Sequence, residues 1–407
     1  MNDTREKRML VGFAVDVSGS MKQSIRNESR KDVNRFGSFK NALRKLSRET
    51  REKINDCRKL GFKASIDVFA YTFGLRFFPN CDFPSLIHFR QESAKKSNYR
   101  YIDPYRELTN IARRNGIEDI RGFEKWIQDV LNREEASRLV SVLNQYPGIA
   151  KHIVRLLPRN IWEVYKKEIG RYIPLYNFVT FYNYREYKEK LTKAKGLAKE
   201  LANTSSDSDI IEIIIREIGK EQFGQSIKEE LEKYGEMLMP LEEVADLLET
   251  EEKELGKIEP FIYGNTPMKE TLELIKKRFE KELARMPDDT IPVFFIISDG
   301  APTDGDPLPI AEFIKNQGIH IISCLITDED LICPRGLFNE IQPNWSEEAV
   351  LMYNMASSLE INSLFSSSLK EIGWTVPFGS KMFVQVNHSE VLDEFIQIIL
   401  DPIRNRN

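Results

Sequence analysis

Residues 9–21 read MLVGFAVDVSGSM, and the two halves of that stretch obey different rules. Its first nine residues, MLVGFAVDV, are apolar except for Asp16 and show no alternation, as expected of a strand buried on both faces of a parallel sheet. The run then ends in Asp16, Ser18 and Ser20, oxygen-bearing side chains two residues apart that point the same way. A strand that ends in a carboxylate and two hydroxyls implies something for those oxygens to hold. The plainest alternative is a turn that caps a helix.

The rest of the chain places that strand in a larger pattern. Phe36, Phe39, Leu43, Leu46 and Ile54 follow near helical spacing, and FKASIDVFAYTF (62–73) reads as a second strand. Gly74 is its turn and LRFF (75–78) a short edge strand. From 81 to about 257 apolar residues recur at helical spacing, for example Phe123, Ile127, Val130 and Leu131, with prolines between them. IIEIII (210–215) fits helix or strand, and LEEVADLLETEEKELGK reads as a solvated amphipathic helix. The strand–helix rhythm resumes after it. Thr266 is placed to cap a helix with Pro267 at its first position and Met268, Leu272, Ile275, Phe279 and Leu283 on one face. IPVFFIISDG (291–300) is the most apolar strand. Helix and strand then follow in LPIAEFIKNQGIHIISCLITD, a helix after Ser346, and a last strand and helix in KMFVQVNHSEVLDEFIQIIL. Such alternation implies an α/β fold with a doubly wound, mostly parallel sheet and a large all-helical insertion. The expected division is 1–80 and 258–407 for the two parts of the sheet domain and 81–257 for the insertion.

Among 407 residues, 59 Lys and Arg stand against 63 Asp and Glu, a net charge of −4. That balance gives no field to drive non-specific nucleic-acid binding. The four cysteines form no CxxC pair, which argues against a disulfide framework or zinc knuckle. A charged amino-terminal segment and the lack of any membrane-length apolar run point to a cytoplasmic setting.

The carboxyl ends of parallel strands form the ligand crevice of such sheets. Asp16, Ser18 and Ser20 leave the first strand there, Thr266 starts a helix, and Asp299 ends FFIISDG. Two carboxylates and three hydroxyls make a hard-oxygen set that suits Mg²⁺ with retained waters better than Zn²⁺; Mn²⁺ or Ca²⁺ are alternatives. The expectation is a site awaiting a metal cation rather than a basic side chain. Asp304 and Asp306 read as a polar loop. A serine nucleophile is disfavoured because GxSxG is absent and His88, His152, His320 and His388 are scattered. Phosphate loops are absent, and an aspartyl phosphotransferase would need an acid where Ser18 stands. The aromatic and basic stretch 162–190 reads as helical packing in preference to a base-stacking surface.

DVSGS, the threonine of GNTP and the aspartate of SDG together resemble the metal-ion-dependent adhesion site of von Willebrand factor A domains. SDGAPTDGD is similar to the intracellular and bacterial branch that includes tellurium-resistance-associated proteins. The resemblance covers roughly residues 8–80 and 258–400, and the long gap between LRFF and Thr266 departs from it. It implies that Asp16 and Asp299 bind metal mostly through water while Ser18, Ser20 and Thr266 ligate more directly. It also implies a non-catalytic interaction module whose partner supplies a Glu or Asp to the metal. The expected setting is an intracellular assembly, as with an AAA+ ATPase or a stress or defence system. The rivals are a protein whose insertion binds DNA or RNA and a metal-dependent phosphohydrolase.

Overall fold

A computed structural model describes residues 7–25, 33–59, 64–97, 103–146, 148–168, 184–252, 261–329, 331, 333–359 and 364–399. The chain divides into two compact units, one of residues 1–87 with 235–407 and one of residues 88–234.

The first unit is α/β. Its strands are β1 (Lys7–Asp16), β2 (Ser24–Ile25), β3 (Val33–Asn34), β4 (Ala64–Phe73), β5 (Asn80–Asp82), β6 (Met239–Pro240), β7 (Ile291–Ser298), β8 (His320–Ile326) and β9 (Phe383–Val386). Seven form a mostly parallel sheet in the order β5-β4-β1-β7-β8-β9, with β6 also paired to β4. β1, β4, β7, β8 and β9 run parallel, while β5 and β6 join β4 antiparallel. The apolar run that opens β1 therefore sits centrally, between β4 and β7. From β1 the chain first builds outward through β4, then crosses to β7 on the other side. The two directions part beside the carboxyl end of β1, where ligands collect in sheets of this kind.

Period-2 alternation sends the β1 side chains to opposite faces. Leu10 and Ala14 are fully buried with Phe69, Phe294 and the helix Met268–Leu283, whose Met268, Leu272, Ile275 and Phe279 form one stripe. Phe13 faces the other way and stacks on Phe295 at 5.0 Å, with Phe39 of the helix Arg35–Lys59 at 6.0 Å. Phe279 sits at 4.9 Å from Phe69, edge to face, at the middle of the first cluster. Phe279→Ala is expected to cost about 3–5 kcal/mol, read as a fall in the denaturation midpoint.

Two local readings of the sequence change. LRFF is not the edge strand: β4 ends at Phe73, and the antiparallel partner is Asn80–Asp82. Gly74 N–H donates to the Pro79 carbonyl at 3.0 Å and Arg76 N–H to the Phe261 carbonyl at 2.8 Å, so 74–79 is a tight reversal. The helix Leu241–Glu252 is not merely solvated. Its Leu241, Val244, Ala245 and Leu248 are buried, and Ala245 N–H donates to Ser47 Oγ of the helix Arg35–Lys59 at 2.8 Å. The Asp82 carboxylate accepts from Ser85 Oγ at 2.7 Å and from Met237 N–H at 3.3 Å, which ties the two ends of this unit's chain at 87 and 235 together.

The described residues of the second unit are helical. IIEIII lies in the helix Asp207–Ile218, because Ile210, Ile211, Ile214 and Ile218 bury one helical face and the Ser206 hydroxyl caps its start. Asn132 and Glu135 form a reciprocal capping box at the head of the helix Arg133–Gln145. Trp126, Tyr146 and Phe223 are the largest fully buried side chains. Most of the aromatic stretch, 169–183, lies outside the described residues. Its flanks pack locally, with Tyr165 donating to Asp129 at 2.5 Å and the Lys166 ammonium 5.0 Å from the Trp162 ring centroid. Among the described residues no helix is long and apolar enough to cross a membrane. Cys81, Cys324 and Cys333 are free thiols; the Cys57 side chain lies outside the description.

Candidate metal site at the carboxyl edge of the sheet

β1 ends at Asp16, opposite Phe73 on one side, and Val15 pairs with Ile297 on the other. That register sets Ser298 beside Asp16. The Asp16 carboxylate is fully buried and both its oxygens are engaged. Oδ1 accepts the Ser18 N–H at 2.7 Å and Oδ2 accepts the Ser298 hydroxyl at 2.6 Å. Ser298 Oγ in turn accepts the Gly300 N–H at 3.0 Å, which fixes the SDG turn to the end of β1. Burial pushes the Asp16 carboxyl up to about 7, and the nearby Asp299 charge pushes the same way; the hydrogen bonds from Ser18 and Ser298 oppose them only in part.

Beyond Asp16 a single turn of 3-10 helix, Gly19–Lys22, brings the Ser18 and Ser20 hydroxyls to 3.1 Å of each other. Ser18 is 2 % exposed, and Thr266 is 6 % exposed. The Thr266 segment is held against this turn by backbone. Gly19 N–H donates to the Gly264 carbonyl at 3.2 Å, Tyr263 N–H to Val17 at 2.7 Å, and Gly264 N–H to Gly74 at 2.7 Å. Thr303 then clamps Thr266 from the SDG loop: the Thr303 hydroxyl accepts the Thr266 N–H at 3.0 Å, and Thr303 N–H donates to the Thr266 carbonyl at 2.9 Å. Asp16, Ser18 and Ser20, Thr266, and Asp299 thus come from separate segments to one rim.

Thr266 is not the helix cap that its position suggested. The helix begins at Met268 with Pro267 at the N-cap position, and Asp304 reaches over from the SDG loop to take the free amides. Its Oδ1 accepts Lys269 N–H at 3.1 Å and its Oδ2 accepts Glu270 N–H at 2.8 Å. Asp304 is therefore a capping residue, and the Thr266 hydroxyl is left out of that task. Ser298, Thr303 and Asp304 all lie in or next to the SDG motif, yet their roles depend on loops distant in the sequence.

A basic side chain does reach the cluster: Arg35 Nη1 stands 3.4 Å from Asp299 Oδ2. No spacing in the sequence links residues 35 and 299; only the fold does.

The donor set fits a small hard cation. Two neighbouring ligands of an octahedral Mg²⁺, each at about 2.1 Å, stand about 3 Å apart, which is the Ser18–Ser20 hydroxyl separation. The Asp16 oxygens, each already accepting one hydrogen bond, retain lone pairs for a metal-bound water. A divalent ion would also relieve the repulsion between Asp16 and Asp299. Among the described residues no group of three or more His, Cys, Asp or Glu side chains is arranged to hold a metal.

No family model matches the chain. No curated protein and no solved structure gives a significant match.

Proposed function

We propose that this chain is a non-catalytic, metal-dependent protein-interaction module. In this reading the sheet unit is a doubly wound domain resembling the von Willebrand factor A fold, and the helical unit is an insertion in it. Asp16, Ser18, Ser20, Thr266 and Asp299 hold one divalent ion, with Mg²⁺ the best fit to a hard-oxygen set and Mn²⁺ or Ca²⁺ as alternatives. When bound, the ion supplies a Lewis-acidic position for a Glu or Asp of a partner protein.

The observation that carries this reading is the convergence of the DVSGS and SDG segments through the Asp16–Ser298 hydrogen bond, beside a serine pair at ligand spacing. Asp16 and Ser298 anchor the rim, Thr303 fixes Thr266, and the paired serines present their oxygens together. The Ser18 hydroxyl is hydrogen-bonded to that of Ser20, and in this reading the two oxygens share the cation. The biological setting by the same resemblance is a cytoplasmic multiprotein assembly, with an AAA+ ATPase or a stress or defence complex as the expected class of partner.

Tagged full-length chain should capture its partner in Mg²⁺ and release it in chelator. Asp299→Asn and Thr266→Val should each lose that capture while far-UV circular dichroism stays unchanged. Retention of the same partners by both variants in chelator would show that contact does not pass through the ion.

A further inference from the structure

Arg35 opens the helix Arg35–Lys59 and is 4 % exposed. A cation at the amino end of a helix meets the positive end of the helix dipole, so its own helix offers it nothing. Its Nε is buried without a hydrogen-bond partner. Among the described residues its ionic contacts are Nη1 to Asp299 Oδ2 at 3.4 Å and Nη2 to Asp328 Oδ1 at 4.0 Å, and the Asp328 side chain is 81 % exposed, so water screens that second pair. Among the described residues, the one side-chain hydrogen bond of this five-donor planar fork is the 3.4 Å contact to Asp299. The same carboxylate is a ligand in the metal-binding reading on which this inference rests.

The charges give the consequence. Asp16 and Asp299 alone would neutralise a divalent ion. With Arg35 fixed at Asp299 the loaded site carries one excess positive charge, which one carboxylate from outside would cancel. We infer that Arg35 is a built-in competitor for the metal: it weakens the site for the ion alone and couples ion uptake to the arrival of a carboxylate. The interaction is reciprocal, so the ion and the carboxylate each raise the affinity for the other. Because the guanidinium is buried a few ångström from the ion's position, its repulsion acts through a medium far less polarisable than water.

The test is Mn²⁺ titration of the full chain by calorimetry, for the native protein, Arg35→Gln and Arg35→Lys, with and without acetate as the carboxylate. Arg35→Gln is expected to bind Mn²⁺ at least about tenfold more tightly, while Arg35→Lys, which keeps the charge, stays near the native value. Acetate should raise the native affinity more than that of Arg35→Gln. Tight binding by Arg35→Gln from a native chain that binds too weakly to measure also supports competition. Equal affinity of the native chain and Arg35→Gln, or equal tightening by Gln and Lys, overturns the role of Arg35 and leaves the metal site standing. An equal acetate gain overturns the coupling. Should neither native chain nor Arg35→Gln bind Mn²⁺, the metal reading itself falls and this inference with it.

Discussion

Asp16→Asn is expected to raise the melting temperature of the metal-free chain at pH 7.5 and to abolish the further rise that Mg²⁺ gives the native protein. The Asp16 carboxyl, ordinarily near 3.8, is pushed up to about 7 by burial first and by Asp299 second. A group whose folded value lies above its unfolded one holds more protons when folded. Metal-free stability therefore falls as pH rises from about 4 to about 7 and stays at its lower level above that. The shift spans about three pH units, or up to ~4 kcal/mol, and its removal corresponds to a gain of roughly 5–10 °C. Asparagine keeps the shape: its carbonyl can accept from Ser18 N–H, and its amide can meet Ser298 Oγ. Differential scanning fluorimetry across that pH range, with Mg²⁺ and with chelator, reads both effects. A native chain whose metal-free stability is flat from pH 4 to 7 would show that Asp16 does not carry a costly buried charge. A variant that still responds to Mg²⁺ would remove Asp16 from the ligand set.

The second large effect lies in the backbone under Thr266. Gly264 has no room for a side chain, since a Cβ there would stand 2.1 Å from the Leu75 carbonyl oxygen. Gly74, across from it, has φ +87°, and a Cβ would stand 2.7 Å from Ser18 N. Both obstacles are main chain, so no rotamer change relieves them. Gly264→Ala is expected to cost about 2–4 kcal/mol by chemical denaturation. It should also weaken Mg²⁺ binding, because the Gly19–Gly264 and Gly264–Gly74 hydrogen bonds carry the Thr266 segment onto the serine turn. Unchanged stability would mean the segment 261–266 shifts freely, and Thr266 would then be a poor ligand.

Much of this architecture is legible in the residues themselves. Long buried strands such as β1 and β7 announce themselves as unbroken apolar runs, and the stripe Met268–Phe279 as a helical repeat. Short edges are less legible. β5 has three residues, and its pairing is decided by the reversal at Gly74 and not by side-chain pattern, whereas LRFF has the composition of a strand but only its Leu75 and Phe78 are buried. The helix Leu241–Glu252 looks solvated because acidic residues dominate its composition; four buried apolar side chains on one face outweigh them. At the rim, Asp16, Ser18 and Ser20 stand out by their spacing, and Thr266 and Asp299 by their places before a helix and at the end of an apolar strand. Their supports are contacts between segments far apart in the chain, as with Ser298 to Asp16, Thr303 to Thr266, Asp304 to the helix amides and Arg35 to Asp299. Such contacts leave no period or motif to find.

The most direct measurement is anomalous diffraction from a crystal of the full chain soaked in Mn²⁺. One strong peak is expected at bonding distance from Ser18 Oγ and Ser20 Oγ, with Asp16 and Asp299 around it directly or through water and the Thr266 hydroxyl turned toward it. A well-ordered rim without a peak, or a peak only elsewhere on the molecule, would contradict a metal-centred interaction site.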